Sequence, residues 1–153
     1  MDWFLEMITN PFVLTGAIAW FVAQVIKTIL YFVINKKIDW GRMIGDGGMP
    51  SGHSATVTSL AVITCLIAGP GSVEFGITLW LEIIVCHDAT GVRRETEKQA
   101  YLITELIKSF ETLFEEQLPE VKLKKFVGHT PIQVLAGIIV GFVTAFTMYW
   151  ILC

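Results

Sequence analysis

Three short stretches hold the residues best able to do chemistry. The first, GDGGMPSGHSA at 45–55, sets glycines, a proline, Ser51, Gly52 and His53 between two strongly apolar runs. The second, DATGVRR at 88–94, begins at Asp88 and ends in Arg93 and Arg94. The third, GHTPIQVLAG at 128–137, puts His129 just ahead of Thr130 and Pro131, a proline suited to the first turn of a helix. Together these residues suit the binding of a phosphate-like anion. A helix that starts near His53 turns unpaired N–H groups and the positive end of its dipole towards the glycine-rich turn. Gly47, Gly48 and Gly52 allow close approach to the backbone, and Ser51 can cap the helix and donate a hydrogen bond. Adjacent arginines offer planar, multidentate donors, although basic residues also flank membrane spans as a topology signal. His53 and His129 each stand at the N-terminus of an apolar segment. His87 has no such setting and reads as structural.

The chain that must position these groups has 153 residues, 54% of them hydrophobic and 16% charged. Its mean hydropathy of +0.63 is too high for an ordinary soluble domain and points to the bilayer as solvent. A net charge of -3 gives no reason to expect a nucleic-acid partner. Cys65, Cys86 and Cys153 form no CxxC pair or metal-ligand spacing, so no disulfide framework is expected. The N-terminal MDWFLEMITN carries two acids and no Lys or Arg, unlike a secretory signal, so the first apolar segment is expected to stay in the protein.

One all-α membrane domain is predicted over 1–153, a helical bundle with about four transmembrane helices near 11–34, 53–68, 73–87 and 132–152. AGPGS between the second and third spans reads as a tight helical hairpin. Lys36, Lys37 and Arg42 lie in the first loop, and seven further Lys and Arg lie between Arg93 and Lys125. The N-terminus, the second loop and the C-terminus have none. Loops one and three are therefore expected on the cytoplasmic face, with both termini outside. That places all three chemical stretches on one side, of a bacterial inner membrane or an organellar one.

Polar residues within spans need a reason. Gln24 and Lys27 share a helical stripe with Trp20 and Tyr31. Lys27 either snorkels to the headgroups or faces the bundle as a cation that meets an anion. Glu82 is its natural counter-charge or a separate proton-handling group. Between 95 and 125, apolar residues at helical spacing among acids predict a cytoplasmic amphipathic helix, lying on the membrane or packing on a partner copy.

PSGHSA and GHTPIQVLAG resemble the second and third signature segments of the type 2 phosphatidic acid phosphatase superfamily, which includes the vanadium haloperoxidases. With AQVIK at 23–27, Asp39-Trp40, DATGVRR and Gln99-Ala100, the chain is closer still to its small divergent branch. The resemblance implies a phosphatase without metal or other cofactor, acting on a membrane lipid phosphate such as a phospholipid or polyprenyl phosphate. His129 corresponds to the nucleophile that becomes phosphohistidine, and His53 to the proton donor for the leaving oxygen. Lys27, Ser51, the Gly52 amide and Arg93 or Arg94 correspond to phosphate-binding groups. Gln133 stands where the superfamily has an acid that orients the imidazole; Asp88 or Glu82 are candidates to substitute in space. A phosphate-lipid binding or transport protein that keeps the cradle without hydrolysis is the alternative. Four spans are fewer than the six core helices usual in the superfamily, so a homo-oligomer is expected.

Overall fold

The computed structural model describes residues 2–37, 48–114 and 130–152; at 92–94, 97, 111, 112 and 114 it describes the backbone alone. Six helices run α1 Asp2–Thr9, α2 Pro11–Asn35, α3 Gly52–Ala68, α4 Val73–Thr90, α5 Val92–Phe114 and α6 Pro131–Leu152. No strand occurs among the described residues. The four predicted spans correspond to α2, α3, α4 and α6, with no end shifted by more than three residues. α2 and α6 are long and apolar enough to cross a membrane; α3 is apolar but has 17 residues, and α4 carries Glu74, Glu82 and Asp88.

Local chemistry sets the helix ends. Asn10 caps α2, its Oδ1 accepting from the amides of Phe12 at 2.9 Å and Val13 at 3.4 Å, with Pro11 at the first position. α2 stops where Lys36 turns left-handed at φ 54°, its amide returned to the Phe32 carbonyl at 2.8 Å. The expected hairpin between α3 and α4 spans Gly69 to Ser72, and Ser72 Oγ caps α4 through the Phe75 amide at 3.1 Å.

Helix α3 is the centre, packed by α2, α4 and α6. It meets α6 through two glycines one turn apart. A Cβ on Gly137 would fall 2.5 Å from the Ser51 carbonyl oxygen, and one on Gly141 2.5 Å from that of Ala55. The backbones thus approach as closely as they do only because both positions lack a side chain. Successive α6 glycines meet successively later α3 residues, so the two helices run parallel. Gly16 of α2 meets Leu60 and Thr56, whereas Gly52 meets Trp20 and Gln24, so α2 and α3 are antiparallel. The end of α2, the start of α3, the end of α4 and the starts of α5 and α6 are consequently gathered at one end of the bundle.

The interior is built of small and polar side chains. Ser51, Ser54, Thr58, Ser59 and Thr15 are fully buried, as are Ala19, Ala23 and Ala55. Their hydroxyls are largely satisfied locally: Thr15 donates to Pro11 O at 2.6 Å, Ser59 to Thr56 O at 2.8 Å, and Thr64 to Leu60 O at 2.7 Å. Large apolar residues such as Phe21, Ile29, Trp80, Ile84, Ile139 and Val143 point outward. That arrangement suits a hydrocarbon surround, which does not reward burial of Leu or Ile inside the protein.

Helix α5 begins at Val92, directly after Gly91, three residues earlier than predicted. Leu102, Leu106, Phe110 and Leu113 form its exposed apolar stripe, and Lys98 pairs with Glu95 at 2.6 Å on the polar side. Beside it, the Glu105 carboxylate accepts a hydrogen bond from Tyr101 and pushes that phenol's pKa above its ordinary value. The predicted remainder of this helix, to 125, lies outside the described residues.

Candidate functional site

The start of α3 is assembled as its sequence suggests. Ser51 is the N-cap, its Oγ accepting from the Ser54 amide at 3.3 Å and the Ser54 hydroxyl at 3.1 Å. Ser51 and Gly52 are buried, while His53 in the same first turn is exposed. The first amides of α3 therefore open at a protected place, with an imidazole at its edge.

Two elements complete the surroundings. Helix α2 brings Gln24, whose Nε2 lies 3.6 Å from where a Gly52 Cβ would stand. One turn on is Lys27, only 3% exposed. Of the two roles the sequence left open for this lysine, burial against the bundle is the one built. Helix α6 is joined to α3 by backbone: the Ser51 amide donates to the Gln133 carbonyl at 3.0 Å. The two signature stretches, far apart in sequence, are thus bonded to each other.

Gln133 also closes a capping box. Its Oε1 accepts from the Thr130 amide at 3.0 Å, and its own amide donates to Thr130 Oγ1 at 3.4 Å, with Pro131 between them in the first turn. The T-x-x-Q pattern was legible in GHTPIQ. Its consequence is that the side chain which the resemblance sets in the place of an orienting acid secures the start of α6.

Glu82 belongs to a different depth. Thr58 donates to its Oε1 at 2.6 Å. Thr58 lies six residues beyond Gly52 along α3, about 9 Å of helical rise, whereas Lys27 lies a turn to the other side of Gln24. The geometry thus sets Glu82 apart from Lys27. Asp88 is half-buried in the last turn of α4, at the same end of the bundle as Ser51. Arg93 and Arg94 fall in the first turn of α5, close behind it, and only their backbone is described. His129 lies outside the described residues, immediately before Thr130.

Gln24 is the site residue that sequence reasoning placed on a stripe without giving it a role. It is 4% exposed, and its Oε1 has no hydrogen-bond partner. Such an acceptor is rare in a protein interior and marks a place where a donor is expected. Alongside Lys27, the cavity at this end of the bundle measures about 190 Å³.

Among the described residues the regular structure is helical, with small polar side chains inside, large apolar ones outside and two helices long and apolar enough to cross a bilayer, which agrees with a membrane protein. The model of the Divergent PAP2 family matches residues 8–144, nearly the whole chain, and the protein belongs to that family. It is similar to the uncharacterized membrane protein YuiD of Bacillus subtilis (strain 168), 37% identical over 146 residues that cover 90% of this chain and 92% of the relative. No solved structure matches the chain.

Proposed function

We propose that the protein is a metal-independent phosphatase acting on a membrane lipid phosphate. The observation that carries this reading is the joining of the buried Lys27, the capped start of α3 and the start of α6 at one end of the bundle, in a chain of this family. In the proposed reaction an imidazole nitrogen of His129 attacks phosphorus as the bond to the lipid oxygen breaks, and His53 gives that oxygen its proton. Water then attacks the phosphohistidine, the N–P bond breaks, and phosphate leaves. Lys27, the Ser51 hydroxyl, the α3 amides from Gly52 and Arg93 or Arg94 would hold the non-bridging oxygens, where preorganised donors stabilise developing charge. Asp88 is the candidate to orient an imidazole.

The same reading takes α2, α3, α4 and α6 as four spans, with the Lys- and Arg-bearing loops and the site on the cytoplasmic face. Helix α5, amphipathic and beside the site, would border the lipid entrance. A homo-oligomer remains part of the proposal.

Phosphate release from lipid phosphates by the purified protein in EDTA tests it, with competition by vanadate. His129→Ala is expected to abolish release, and full turnover by that variant would exclude the mechanism. Lys27→Met is expected to lower the rate about a hundredfold or more, the scale of losing one donor to transition-state charge.

One observation favours a second reading, a phosphate-lipid binding or transport protein. Gln133 Oε1 is engaged by the Thr130 amide, and a neutral amide cannot stabilise an imidazolium as a carboxylate does. Tight binding without phosphate release, unimproved by Gln133→Glu, would select it.

A further inference from the structure

Beyond Lys27 the α2 stripe continues through Leu30, Tyr31, Ile34 and Asn35, every third or fourth residue on one face. Gly48 and Met49, on the segment entering α3, close the other side of the cavity. The space is graded. Its inner end is the buried Lys27, Leu30 and Tyr31 are half-buried, and its mouth is Ile34, 76% exposed at the end of α2.

We propose that this cavity is the neck subsite for a single-chain lipid phosphate monoester. The phosphate sits by Lys27 and the first amides of α3, the first carbons of the chain lie against Leu30, Met49 and Ile34, and the rest leaves past the end of α2. This rests on the phosphate-binding part of the reading above, but not on hydrolysis.

Charge, volume and an unmet acceptor each narrow the ligand. Among the described residues that line it, Lys27 is the cation, and the other polar ones, Tyr31 and Asn35, are neutral. A head group with one phosphate and no further charge matches that set. The volume of about 190 Å³ is of the order of a cavity that takes one benzene ring, roughly 150 Å³. It matches an unbranched carbon neck more closely than a glycerol bearing two esters, and a whole lipid is larger still, so the rest of the chain leaves through the mouth. Gln24 Oε1, a turn inward of Lys27, lacks a donor. The hydroxyl of a monoprotonated phosphate supplies one, which an ester lacking any P–O–H cannot.

Equilibrium binding of octyl phosphate, dioctanoyl phosphatidate and inorganic phosphate to the full chain in a non-ionic detergent tests the assignment. Octyl phosphate is expected to bind about tenfold or more tightly than either of the others, a difference of about 1.4 kcal/mol. Leu30→Trp, which fills the neck, should remove that preference and leave the affinity for inorganic phosphate unchanged. Leu30→Ala, which widens it, should raise affinity for the phosphatidate several-fold. Equal affinity of the wild type for the two lipids, or an octyl phosphate affinity no better than that of inorganic phosphate, would overturn the subsite. So would a folded Leu30→Trp protein with the wild-type preference. If that variant does not fold, the wild-type ranking and Leu30→Ala decide. Selective binding of octyl phosphate without its hydrolysis would overturn the phosphatase reading and leave the subsite standing.

Discussion

Helices α3 and α4 are consecutive, nearly equal in length and both rich in apolar residues, yet they do opposite work. Nine of the 17 residues of α3 are buried, against Ala89 alone in α4. The buried residues of α3 are mostly Ser, Thr, Ala and Gly, while α4 turns Ile77, Trp80, Leu81 and Ile84 outward. In water the larger apolar helix face would be the one buried. In hydrocarbon that drive is absent, and close backbone approach with satisfied hydroxyls decides which helix is central. The difference also explains why the elements proposed to bind phosphate converge on α3: its start is fixed by α6, and its flank by Gln24 of α2.

Variants can break or sharpen this contrast. The largest loss is expected from Gly137→Leu or Gly141→Leu, which must part α3 from α6; the protein should fail to fold or lose its thermal transition in detergent. Even Gly137→Ala should cost about 1–3 kcal/mol or more by overpacking. It also pushes on the Ser51 carbonyl, so phosphate-lipid affinity should fall with stability. Thr58→Val removes the hydroxyl that binds Glu82 and should cost about 1–3 kcal/mol, because it leaves a partly buried acceptor without its donor. A neutral result would mean that the α3–α4 contact is as loose as the rest of α4. Thr130→Ala, which opens the capping box, should cost about 1 kcal/mol. Its effect should appear in phosphate-lipid binding too, because the start of α6 holds Ser51 through the Gln133 carbonyl. Ile84→Ala, on the outward face of α4, should change stability by no more than about 0.5 kcal/mol. Denaturant or thermal unfolding in one detergent orders all of these, and an Ile84→Ala loss as large as that of Thr58→Val would erase the distinction drawn between the two helices.

Much of the frame was legible in the residues themselves. Asn10-Pro11, Pro50-Ser51-Gly52, Gly69 to Ser72 and Thr130-Pro131 start or stop helices by local hydrogen bonding, so the boundaries of α2, α3, α4 and α6 could be read within a few residues. Ser51 as the cap of α3 is such a local fact. The same holds for the stripe that joins Gln24, Lys27 and Tyr31. What could not be read was which side of each apolar helix meets protein. A helix apolar all round carries little periodic signal, since lipid and protein interior are alike to a Leu or Val.

The sequence by itself determined the apolar segments, their caps and the gathering of Lys and Arg into two loops, because these depend on neighbouring residues and on composition. Only the tertiary structure decided that α3 is central, that Gly137 and Gly141 let α6 seize its start, that Glu82 binds Thr58 at a different depth from Lys27, and that Gln24 holds an acceptor without a donor. Each of these depends on which backbones come within contact distance, a property of paired helix surfaces that no single helix carries.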